Sequence, residues 1–180
     1  MEQATDLFIE QLRKGNRAAC QRLVSDYGPA VFQMVRRIVV RQEDAEEVWQ
    51  DVFVKALQGI GSYDSRKASL ATWLSRIAYH ESLNFMRKRQ PDIVYMEDYD
   101  LSGIDESPEE VAHDSQTVQA LEQALAMLPP QEQAAITMFY YDNMSLADIA
   151  YVTGSIPSTV GSQLSRIRKK LYRIIKTMQK

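Results

Sequence analysis

Sulfur and imidazole chemistry have little to work with in this chain. Cys20 is its single cysteine, which rules out an internal disulfide and leaves no CxxC pair to hold a metal. The two histidines, His80 and His113, lie far apart in sequence, whereas metal sites need clustered ligands. No apolar run is long enough for a membrane span, and Met1-Glu2-Gln3-Ala4-Thr5-Asp6 has no basic-then-apolar pattern, so a cytoplasmic location is expected. Glycine (7) and proline (6) are scarce while Ala, Leu, Gln, Glu and Arg are plentiful, a balance that favours helix over sheet. No carboxylate pair stands in a His, Cys or Gly-rich-loop context. An enzyme is therefore not expected, nor a cofactor, a metal or a small-molecule substrate.

What is present is unevenly spread. The net charge of −3 argues against a nucleic-acid partner, but the distribution reverses that impression. Residues 1–95 hold 14 bases and 12 acids, residues 96–117 hold 8 acids and no base, and residues 118–180 hold 7 bases and 4 acids. Two mildly basic segments are thus joined by an acidic one. All seven bases of the last segment fall between Arg166 and Lys180 with no acid among them, the footprint of a surface that meets phosphates. Forty-five per cent of the residues are hydrophobic, enough for folded cores on either side.

The patterning predicts an all-α chain of two small helical domains joined by an acidic linker. The domains span 1–94 and 117–180, with the linker over 95–116. Four helices are expected in the first, over about 4–13, 17–37, 43–57 and 70–88, with the second broken near Gly28-Pro29 because proline cannot continue a helical ladder. In the second domain Val118, Leu121, Leu125 and Leu128 form a helical stripe that Pro129-Pro130 ends. Further helices are expected over about 131–141, 146–152 and 157–175.

The last two of these, separated by Thr153-Gly154-Ser155, have the plan of a helix-turn-helix. Ile149, Val152, Val160, Leu164, Ile167, Leu171 and Ile174 repeat at three- and four-residue offsets on one face. That leaves Ser158, Gly161, Ser162, Ser165 and Arg166 outward, where a recognition helix meets base edges. Arg168, Lys169, Lys170 and Arg173 suit backbone phosphates, which position a helix without reading sequence.

In the first domain Ala45, Val48, Val52 and Ala56 face a core, and Glu46, Glu47, Gln50 and Asp51 point elsewhere. Farther on, Leu70, Trp73, Leu74, Ile77, Ala78 and Phe85 form a second core stripe. Arg76, Arg87, Lys88 and Arg89 add positive charge to that helix, and the loop 62–69 before it carries Tyr63, Arg66 and Lys67.

These motifs carry a family resemblance. Leu128-Pro129, Asp148-Ile149-Ala150, Gly154, Thr159-Val160, Ser162, Leu164, Arg166, Arg168 and Leu171 resemble region four of sigma factors. Thr72-Trp73-Leu74, Arg76-Ile77-Ala78 and the acidic-Gln-acidic stretch around Gln50 resemble region two. With both regions in order, the chain is similar to the small extracytoplasmic-function (group four) sigma factors of the sigma-seventy family, helix-turn-helix DNA-binding proteins that direct core RNA polymerase to promoters and begin transcription initiation. The resemblance implies minus-thirty-five contacts from Ser158, Thr159, Ser162, Gln163, Ser165, Arg166, Arg168, Lys169 and Lys170. It implies recognition and melting of the minus-ten element by Tyr63, Arg66, Lys67, Arg76, His80, Arg87 and Lys88, and docking on polymerase by Glu47, Gln50 and Asp51. Core RNA polymerase, promoter DNA and an anti-sigma factor are the implied partners. The sequence departs from the family's habit at Ser158, Gly161 and His80-Glu81, where Gly, Lys or Arg, and Asn are usual. An ordinary helix-turn-helix repressor or activator would share the second constellation but leave 44–56 without a purpose. A module that binds polymerase without opening promoters is the other alternative.

Overall fold

The computed structural model describes residues 2–89 and 115–178, and among them every regular element is a helix. The expected linker lies almost wholly outside the described residues. The chain divides into two compact units. The first is built on α1 (Glu2–Arg13), α2 (Arg17–Arg36), α3 (Gln42–Gly59) and α4 (Leu70–Arg89), with a single 3-10 turn at Ile60–Ser62. The second is built on α5 (Ser115–Ala126), α6 (Pro130–Tyr140), the start of α7 (Leu146–Thr153) and α8 (Pro157–Met178), with Ala150–Gly154 counted in the first.

Local chemistry sets the helix ends in the first unit. Gly15, at φ +67, turns the chain out of α1 into the left-handed region that only glycine enters without strain. Asn16 then caps α2, its Oδ1 accepting from the Ala19 N–H at 3.1 Å. Ser69 does the same for α4, accepting from Thr72 N–H at 3.0 Å. Helices α2, α3 and α4 pack against one another, with α1 beside α2 and the 3-10 turn. Their core holds Leu23, Met34, Val35, Ile38, Val48, Val52 and Leu74, all fully buried. Each such side chain contributes about 1.5–3 kcal/mol relative to exposure.

The break expected at Gly28-Pro29 does not occur, because α2 runs unbroken through Pro29. The neighbouring helix supplies the reason. Trp49 of α3 donates its indole Nε1–H to the Gly28 carbonyl at 3.0 Å, and a Cβ on Gly28 would lie 3.3 Å from Trp49 Cζ2. The bare glycine admits the indole, and this packing offsets the helix bond that Pro29 cannot make.

In the second unit Pro130 occupies the first turn of α6, where its missing N–H costs nothing. Ser145 opens α7, accepting from the Asp148 N–H at 3.1 Å and donating to Asp148 Oδ2 at 2.6 Å. Gly154, at φ +74, makes the turn into α8. Helices α5 and α6 pack on α8, whose Val160, Leu164, Ile167 and Leu171 are buried. The bases of α8 begin at Arg166, alongside the end of the buried stripe, and the helix reaches Met178, past the expected end.

Candidate nucleic-acid interface

Three surfaces carry the residues singled out by the sequence, two of them in the first unit. The simplest is on α8. Burying Val160, Leu164, Ile167 and Leu171 turns Ser158, Thr159, Ser162, Arg166 and Arg168 to solvent and leaves Gln163, Ser165, Lys169 and Lys170 half-buried. Ser162 donates its hydroxyl to the Ser158 carbonyl at 3.1 Å, so a new acceptor must compete with that bond. Lys170 Nζ lies 2.9 Å from Glu132 Oε2 of α6, with both side chains about four-fifths buried. Its charge is directed at α6, while Arg166 and Arg168 project outward. Gly161, expected on the outward side, is half-buried beside α7, and a Cβ there would meet Leu146 Cδ1 at 3.8 Å.

The second surface is the loop between the 3-10 turn and α4. Tyr63 is buried, its ring centroid 5.4 Å from that of Trp73 and its hydroxyl donating to the Ala68 carbonyl at 3.1 Å. Burial pushes its phenol pKa up. Held this way, the ring braces the loop from inside. Asp64 accepts from Arg66 three times, from the backbone N–H and Nε–H at 3.0 Å each and from Nη2 at 2.9 Å. Those bonds hold the Asp64 carboxyl at a pKa of about 2. Ser65, Arg66 and Lys67 stand exposed at the tip. Between this loop and α1 runs an open groove of about 640 Å³, lined by Asp6, Ile9, Glu10, Arg13 and residues 61–66.

Helix α4 continues this surface. Arg87 and Lys88 are exposed and Arg76 and His80 half-buried. The His80 Nε2 is buried with no hydrogen-bond partner among the described residues. Burial, and then the nearby charge of Arg76, lower the His80 pKa below its ordinary 6.5. Arg89 is engaged elsewhere, its Nη1 2.5 Å from Oδ2 of the buried Asp44 and its guanidinium over the Phe85 ring. It fastens the end of α4 to the start of α3.

The third surface is the exposed side of α3, where Glu47, Gln50 and Asp51 all face solvent. Sequence reasoning missed Val54, which is 52% exposed and lies one turn on from Gln50 and Asp51. The three-to-four spacing was the available signal. It also missed Arg13, whose Nη2 donates to the Tyr63 carbonyl at 3.0 Å across fifty residues, and nothing local announces that bond.

Comparison with known proteins agrees in both units. Residues 23–91 match the family model for sigma-70 region 2, and residues 118–171 match that for sigma-70, region 4. The chain is 25% identical to the ECF RNA polymerase sigma factor SigW of Bacillus subtilis (strain 168), over 99% of this chain and 100% of that protein. It is 29% identical to the ECF RNA polymerase sigma-E factor of Escherichia coli (strain K12), over 94% of each. Among solved structures, the sigma factor RpoE in complex with the anti-sigma factor NepR from Bartonella quintana resembles it in fold. There the TM-score is 0.63 at 24% identity, covering 87% of this chain and 96% of that one.

Proposed function

Because the chain belongs to the sigma-seventy family, as an extracytoplasmic-function sigma factor, we propose that it divides promoter reading between its two units and docks on polymerase through α3. At the level of the family its function is promoter-directed transcription initiation with core RNA polymerase. The finer assignment concerns which residues act. The observation that carries it is the face of α8, where a continuous buried stripe leaves Ser158, Thr159, Ser162, Arg166 and Arg168 outward. In this reading the first turns of α8 read the minus-thirty-five element in the major groove. Ser162 and Arg166 meet base edges, Gln163 and Ser165 flank them, and Arg168 and Lys169 neutralise phosphates. Lys170 contributes field rather than a direct contact, since Glu132 already compensates it.

The minus-ten element is assigned to the loop 62–69 and α4. Ser65, Arg66 and Lys67 at the loop tip meet the unpaired strand, Tyr63 and Trp73 hold the loop from below, and Arg76, Arg87 and Lys88 follow the backbone. Extruding a base costs a few kcal/mol, and stacking together with phosphate neutralisation offsets that cost. His80 shapes the α4 end of the surface. Glu47, Gln50, Asp51 and Val54 form the polymerase-docking face. The domain limits proposed are 1–94 and 117–180. RpoE is held by an anti-sigma factor, and a partner of that class is proposed for this chain.

The test is transcription from promoter libraries randomised separately in the two elements, using holoenzyme reconstituted with this chain. Ser162→Ala and Arg166→Ala should change the preference in the minus-thirty-five element alone. Arg66→Ala should change it in the minus-ten element alone. Preferences that shift in both elements together, or in neither, would dismiss the division of labour.

A further inference from the structure

We infer that Arg13, at the end of α1, is a positioning residue for minus-ten reading and acts by fixing the backbone of the loop 62–69. The inference rests on the loop assignment proposed above and goes beyond it by placing part of the specificity in a helix that need not touch DNA. The loop is held from within at both ends. Ser62 donates to the Gly59 carbonyl at 2.7 Å, and the Tyr63 hydroxyl donates to the Ala68 carbonyl at 3.1 Å. Its exposed tip is shaped by Asp64, whose carboxylate takes up the Arg66 N–H and guanidinium. The Tyr63–Asp64 peptide joins these two parts, and there the chain passes from the buried Tyr63 to the exposed tip. Arg13 Nη2 donates to the carbonyl of that peptide at 3.0 Å.

A planar peptide turns as a unit. Fixing its carbonyl therefore fixes the direction of the Asp64 N–Cα bond and, through the Asp64 carboxylate, the place of the Arg66 guanidinium. Arg13 is itself exposed and lines the groove between α1 and the loop. Its removal therefore opens no hole in the core, yet frees the loop to take other backbone orientations. A base contact depends on donor placement within a few tenths of an ångström, so discrimination is the property this freedom erodes.

The experiment uses holoenzyme with the full chain and the two randomised promoter libraries, comparing wild type, Arg13→Ala, Arg13→Lys and Arg66→Ala. In Arg13→Ala, discrimination among minus-ten variants is expected to fall about fivefold, the low end of what one good base contact is worth. The minus-thirty-five profile stays as in wild type. Arg13→Lys, which keeps a donor, recovers most of the minus-ten discrimination. An Arg13→Ala profile identical to wild type, while Arg66→Ala alters it, overturns the inference alone. A loss spread evenly over both elements also overturns it, because that is the mark of general destabilisation. Minus-ten profiles unchanged in both variants would remove the loop reading and the inference with it.

Discussion

Two Gly→Ala substitutions, three residues before the α8 start and four residues after it, should have opposite effects on stability. Gly154 sits in the turn of the helix-turn-helix at φ +74, and a Cβ there would meet nothing within 4 Å. Alanine at that position suffers no clash, only the left-handed backbone, which costs about 1–2 kcal/mol. Part of this is offset by the smaller entropy of the unfolded chain, about 0.4–1 kcal/mol. Gly154→Ala should therefore destabilise by about 1 kcal/mol. Gly161 lies inside α8, where a Cβ would meet Leu146 Cδ1 at 3.8 Å, an ordinary contact. Gly161→Ala should stabilise by about 1 kcal/mol. The two variants then differ by about 2 kcal/mol, roughly thirtyfold in the folding equilibrium. Urea unfolding, followed at α7 and α8 amides by hydrogen exchange, should move the midpoint by about 0.5 M in opposite directions. Shifts of the same sign, or no loss in Gly154→Ala, would refute the backbone argument.

Arg168→Ala should lower the slope of log affinity against log salt by about one for holoenzyme on promoter DNA, as for a lost phosphate contact. Lys170→Ala should lower it by clearly less, because Glu132 holds that ammonium; equal slopes in fluorescence anisotropy titrations would count against the distinction. Trp49→Phe removes the indole donor to Gly28 and part of the ring that fills the space beside it. Thermal unfolding should show a loss of about 1–2 kcal/mol, of which the hydrogen bond accounts for about 1. The folded-state pKa of His80 is lowered, so the unfolded chain binds more protons around and below pH 6.5. Stability should fall as pH drops from there, and His80→Gln should flatten that slope in urea melts between about pH 5 and 8.

The helices were legible because their signals are local. Asn16, Ser69 and Ser145 cap where the capping rules put them, and the α8 stripe from Val160 to Leu171 is buried as its spacing requires. The failures came from contacts distant in sequence. Pro29 reads as a break until Trp49, twenty-one residues past Gly28, closes on the helix. Gly161 reads as outward because three- and four-residue offsets place a residue only to within about a third of a turn, and the approach of Leu146 decides its side. The ion pair of Lys170 with Glu132, thirty-eight residues away, was likewise not legible. Arg13 gave no signal, since an arginine that ends a helix usually serves the helix dipole.

The most direct test of the central claim is run-off transcription with bacterial core polymerase, this chain and a promoter library. The account predicts specific transcripts that require the chain and are lost in the Gln50→Ala, Asp51→Ala double variant while its helical circular dichroism is retained. Promoter-sized DNA bound by the chain alone, with no specific transcript from the reconstituted polymerase, would contradict it.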